Sequence, residues 1–86
     1  MPTDSATVEA TMLRLLTEAG HGRTVSATEV ARAAGTDEDW QELFPLVRRT
    51  AVALALAGRL VIYRKGKPVD PTDFKGVYRL GLPSHD

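Results

Sequence analysis

Residues 61–80 read VIYRKGKPVDPTDFKGVYRL, two short apolar-rich segments around a connection marked by lysine, glycine and proline. Alternation puts Leu60 and Ile62 on one face of a first strand, and Tyr78, Leu80 and Leu82 on one face of a second. The two segments are expected to pair as an antiparallel hairpin. Their connection, roughly Gly66 to Gly76, far exceeds the ~2–5 residues of an ordinary hairpin loop, and long loops in small domains are commonly functional or flexible.

Upstream of this hairpin the chain reads mainly as helix. In SATVEATMLRLLTEA, residues 5–19, Val8, Met12, Leu15, Leu16 and Ala19 form one apolar stripe, with Asp4 or Ser5 as the cap and Gly20 as the stop. Ser26-x-x-Glu29 is a capping box, so a second helix is predicted from about Ala27, with Val30, Ala31 and Ala34 inward and Gly35 ending it. Thr24 and Val25, just before the cap, suit a very short strand.

The next stretch, TDEDWQELFPLVRRTAVALALAGRL, opens with Asp37, Glu38 and Asp39, where the positive end of a helix dipole favours carboxylates. Pro45 removes a donor and crowds the turn before it, so residues 37–57 read either as one helix kinked there, the preferred reading, or as two helices. On a helical wheel Leu43, Val47, Thr50 and Leu54 cluster as the buried face, flanked by Leu46, Ala51 and Ala57. Arg48, Arg49, Val52 and Leu56 lie opposite.

The order helix, short strand, helix, helix, hairpin predicts an α+β, mostly α, winged helix-turn-helix domain. It has three helices, a short strand and a C-terminal two-stranded wing beside a third, recognition helix. Eighty-six residues suit a single domain spanning 1–86, with 1–4 and 83–86 expected to fray. Apolar residues at 43% and charged residues at 26% are ordinary for a soluble folded chain. There is no cysteine, which excludes disulfides, thiolate metal sites and a cysteine nucleophile. MPTDSATVEA lacks the features of a secretion signal, and no run reaches the ~18 apolar residues of a membrane span, so the expected location is the cytoplasm.

Charge is balanced overall and uneven along the chain. Residues 1–47 hold three basic and eight acidic side chains, a net of −5, and residues 48–86 hold eight basic and three acidic, a net of +5. The C-terminal half therefore offers an anion-facing surface, unless its charges pair with the acidic half.

The segments SATEVARA at 26–33, DW-x-x-L at 39–43, PLVRRTA at 45–51, GRLVIYRKGKPVDP at 58–71 and GVYRL at 76–80 together resemble a family of unknown function, DUF3253. The resemblance covers most of residues 10–82 and implies a bacterial winged-helix-like domain with no established activity. By its pattern the positions of interest are Arg48, Arg64, Lys65, Gly66, Asp70, Pro71, Gly76 and Arg79.

No convergent catalytic set is visible, so the chain is not expected to be an enzyme. His21 lies between glycines and His85 in the terminal tail, with no spaced partner for a metal, and no cofactor or small-molecule ligand is implied. Trp40 reads as an anchor for the third helix rather than a stacking platform.

Binding of double-stranded DNA is the sharper reading. Arg48 and Arg49 would face a major groove from the third helix, with Arg64, Lys65, Lys67, Lys75 and Arg79 meeting phosphates from the wing. Thr50, if partly exposed, would add a contact. A pI of about 6.7 is low for a dedicated DNA-binding domain. The alternative is a protein-interaction or homodimerisation module using Val52 and Leu56 beside Arg48 and Arg49, with Val69-Asp70-Pro71 as a rigid loop whose aspartate caps a turn.

Overall fold

Helix α1, Ser5–Ala19, starts where Asp4 Oδ1 accepts from the Thr7 amide at 2.9 Å, and it turns Val8, Met12 and Leu16 fully inward. Strand β1, Thr24–Ser26, leads directly into α2, Ala27–Ala34. Ser26 Oγ accepts from the Glu29 amide at 3.1 Å, the serine half of the predicted capping box. Gly35 ends α2, and its lack of a side chain is a packing requirement, since a Cβ there would lie 2.7 Å from Leu43 Cδ1. The computed structural model that shows these features describes residues 4–83, so most of the ends expected to fray, and His85, fall outside the described residues.

The third helical stretch differs from the kinked helix predicted over 37–57. Residues 37–39 form a turn, Trp40–Leu43 a 3-10 helix, and Phe44–Leu56 the helix α3. The physical reason is the place of Pro45. In the first turn of α3 its missing N–H would have had no intrahelical partner anyway, so the proline starts this helix rather than bending one. Phe44, though it precedes proline, keeps helical angles of φ −53° and ψ −45°. Asp39 is correspondingly not in a helix first turn. Its Oδ1 accepts from the amide and hydroxyl of Thr36 at 2.7 and 2.8 Å, and these two bonds hold its carboxyl below the usual value. Trp40 packs against the core and meets Phe44 edge-on at 5.7 Å, with the Arg32 guanidinium 4.5 Å from its ring centre, the anchoring role expected of it.

The predicted two-stranded wing is likewise corrected. Beyond α3 come β2 (Val61–Arg64), β3 (Lys67–Pro68) and β4 (Arg79–Gly81), and with β1 they form one four-stranded antiparallel sheet in the order β1-β4-β2-β3. The chain reverses at once after Arg64. Lys65 at φ 54° and Gly66 at φ 81° both lie in the left-handed region, as a tight primed hairpin turn demands, and Arg64 then faces Lys67. Only afterwards does the long connection run, over 69–78, to bring β4 back along the other side of β2.

Ile62 pairs with Leu80 and Leu80 with Val25, and these three inward side chains close the core against the helices. Leu60, Ile62, Tyr78 and Leu80 are buried as the alternation requires, with Leu82 half-buried. Val47, Thr50, Ala51 and Leu54 form the inner face of α3, whereas Ala57, expected to flank it, is exposed. Each fully buried aliphatic side chain contributes roughly 1.5–3 kcal/mol of transfer free energy, so this shared core holds sheet and helices in one unit.

Candidate nucleic-acid interface

The seven basic residues expected at an interface fall into two groups. Arg48, on the flank of α3, donates from Nη2 to the Phe74 carbonyl at 2.7 Å, and its guanidinium lies 4.0 Å from the centre of the Phe74 ring. Arg64 donates from Nε to the Val77 carbonyl at 3.0 Å. Gly76 makes that approach possible: it sits at φ 85°, and a Cβ there would stand 2.9 Å from Arg64 Nη2. Arg79 reaches across to β1, donating from Nε to Thr24 Oγ1 at 2.6 Å and from Nη2 to the Thr24 carbonyl at 3.2 Å. Each of these arginines donates to a backbone carbonyl, a use suited to their planar set of donors.

The other four are Arg49, Lys65, Lys67 and Lys75, all exposed. Arg49 lines a shallow groove between α1 and α3 that it shares with the carboxylate-bearing Asp4 and Glu9. The three lysines stand on the hairpin turn, on β3 and in the long loop. Among the described residues the one pairing of a lysine or arginine with a carboxylate is Arg14 with Glu18, at 3.4 Å along α1. The acidic first half of the chain therefore does not neutralise these lysines by contact.

The 69–78 loop is built around Asp70 and Phe74. Asp70 Oδ1 accepts from the Thr72 amide at 2.9 Å and from its hydroxyl at 2.7 Å, which lowers the Asp70 pKa and makes it the turn cap anticipated for this segment. The Val69 amide donates to the Ile62 carbonyl at 2.9 Å. Phe74 is buried and meets Tyr78 edge-on at 5.2 Å. Burial raises the Tyr78 phenol above its ordinary value, against the opposing pull of the Arg48 charge.

The outward side of α3 carries Arg49, Val52, Ala53 and Leu56, with Leu56 63% exposed, and Arg48, likewise exposed, is bonded to the Phe74 carbonyl. Thr50 is buried and takes no part. Val77 is 85% exposed at the lip of an apolar depression lined by Phe44, Tyr78 and Ala27. No three acidic or histidine side chains among the described residues converge as a metal site.

Sequence reasoning missed Tyr63 and Arg23, which line a depression on the outer sheet face together with Lys65 and Arg79. The alternation that sends Ile62 inward places Tyr63 outward, and this was the available signal for it. No curated protein matches the chain. Residues 5–83 match the model of the protein family of unknown function DUF3253, and the chain belongs to that family.

Proposed function

We propose that this protein binds double-stranded DNA as a winged helix-turn-helix module of a bacterial cytoplasm, acting by binding rather than catalysis. The observation that carries the reading is the set Lys65, Lys67 and Lys75, exposed on and beside the hairpin and free of any carboxylate contact among the described residues. Such lysines meet phosphates, which positions a protein on a duplex without reading sequence. The order helix, strand, helix, helix, sheet, with β1 lying beside the last strand, supports the winged reading, in which the β2–β3 hairpin is the wing. Arg49, on the open side of α3, is the residue available to a groove.

The test is fluorescence anisotropy with random duplex DNA at two salt concentrations. Three phosphate contacts give a log–log salt slope of about −2.7 and a loss of about 40-fold in affinity between ~50 and ~200 mM salt. The double variant Lys67→Gln/Lys75→Gln should reduce the slope by about 1.8 while its melting temperature stays near that of the parent. Absence of binding at the lower salt would sink the proposal.

A second reading rests on Val77, exposed at the lip of the apolar depression, and on Leu56, exposed at the end of α3, which suit a protein partner or a second copy of the chain. It predicts salt-insensitive association that Val77→Ser weakens.

A further inference from the structure

In an antiparallel sheet directly opposed residues share a face. Val25, Leu80 and Ile62 point into the core, so the neighbouring rows, Thr24 with Gly81 and Arg79 with Tyr63, point outward. The Tyr63 ring leans diagonally over Gly81, so closely that a Cβ at residue 81 would lie 3.0 Å from Cε2. Arg79 leans in the same sense one strand further on, from β4 onto Thr24 of β1. Between them opens a cavity of about 250 Å³, with Arg23 and Lys65 at its margins, brought there by the loop before β1 and by the β2–β3 turn. Its lining holds three cations and a phenol but no carboxylate.

We propose that this cavity is an anion site for a single phosphate monoester group. Arg79 is the central ligand. Its two bonds to Thr24 use two of the five guanidinium N–H donors and fix the plane of the group, leaving three donors for a ligand at little further entropic cost. A planar guanidinium held in this way suits bidentate contact with a phosphate. Arg23 and Lys65 supply point charges against a dianion, and the Tyr63 hydroxyl supplies a further donor. The volume lies just below the ~300–1,000 Å³ of sites for larger ligands, which fits a phosphate group with a small esterified part. The site shares Lys65 with the duplex surface but does not rest on duplex binding, because its other ligands, Arg79, Arg23 and Tyr63, stand apart from Lys67 and Lys75, which take no part in it. The phosphate can arrive free, on a small ester, or at the 5′ end of a nucleic-acid strand.

The experiment follows the amide signals of Gly22, Gly66 and Gly81 and the Nε–H of Arg79 in the ¹⁵N-labelled full chain during titration with inorganic phosphate. The expected result is saturable shifts confined to these groups with a Kd in the millimolar range, weakened at least about tenfold in Arg23→Gln/Lys65→Gln. Both of those side chains are exposed, so the folded state of this variant is verified from its unchanged core signals. Competition by a short single strand bearing a 5′-phosphate, stronger than by phosphate itself, would assign the site to strand ends. Equal competition would assign it to small esters. Shifts that are unsaturable, spread over the whole basic surface, or unchanged in the double variant would overturn the site, whatever the outcome with duplex DNA.

Discussion

The 69–78 loop and the β2–β3 turn at 65–66 adjoin one another, both lie in the basic half of the chain, and they are built in opposite ways. The loop is held from several sides by side chains: Arg48 on the Phe74 carbonyl, Arg64 on the Val77 carbonyl, Asp70 on Thr72, and Phe74 in the core. The turn is set by backbone angles, and its lysine side chain is left exposed. The difference teaches that a positive stretch of sequence contains two kinds of cation. The guanidinium groups of Arg48 and Arg64, with several directed donors, are committed here to carbonyls, whereas the strongly hydrated ammonium groups of Lys65 and Lys75 remain at the surface.

The largest test of that contrast is Phe74→Ala. Removing a buried aromatic ring costs about 3–5 kcal/mol, and in a domain of this size each kcal/mol lowers the melting temperature by about 4–8 °C. Calorimetry should therefore show a drop above about 12 °C; a drop of a few degrees would mean that the loop is not part of the cooperative unit. Arg48→Ala comes next, at about 1–2 kcal/mol for a charged hydrogen bond and a cation–π contact. From the sequence alone, replacing Arg48 and Arg49 together would be expected to abolish DNA binding with little thermal effect. With Arg48 bonded to Phe74 the expectation changes: urea unfolding should assign the stability loss to Arg48→Ala and almost none to Arg49→Ala.

A smaller effect concerns acid. Asp4, Asp39 and Asp70 each accept bonds from a threonine, and each has its pKa lowered chiefly by the backbone part of that contact. A carboxyl whose folded pKa is depressed contributes stability that is present above its unfolded value of about 3.9 and lost as pH falls through the folded value. Melting temperature should accordingly be level near neutrality and decline below about pH 4. Asp70→Asn retains an acceptor without titrating, so it should flatten part of that decline. An unaltered acid limb would remove Asp70 from this account.

Much of this architecture is legible in the sequence because its determinants are local. The stripe of Val8, Met12 and Leu16, the Ser26 half of the capping box, and the alternation around Ile62 and Leu80 each lie within a few residues of one another, and each appears as read. Strand β3 was hidden because its turn is Lys65-Gly66 rather than the Asn-Gly or Asp-Gly that usually marks a primed hairpin, and because Pro68 argues against a strand. One kinked helix is the preferred reading over two because the apolar period continues through Pro45, whereas the structure follows the two-helix alternative, since a proline disfavours a helix interior but suits a first turn. The roles of the arginines were not legible at all. Arg48 meets Phe74 across 26 positions and Arg79 meets Thr24 across 55, and nothing local distinguishes a guanidinium that will bind a carbonyl from one that will face solvent.

Pro68 has a consequence for assembly. It lies in β3, a two-residue strand at one margin of the sheet, and offers no N–H to a neighbour. A second copy of the chain that tried to continue the sheet from that side would find too few backbone groups to form a ladder. Self-association through β3 is thereby discouraged by the backbone itself, which leaves β1, Thr24–Ser26, as the sheet's other margin.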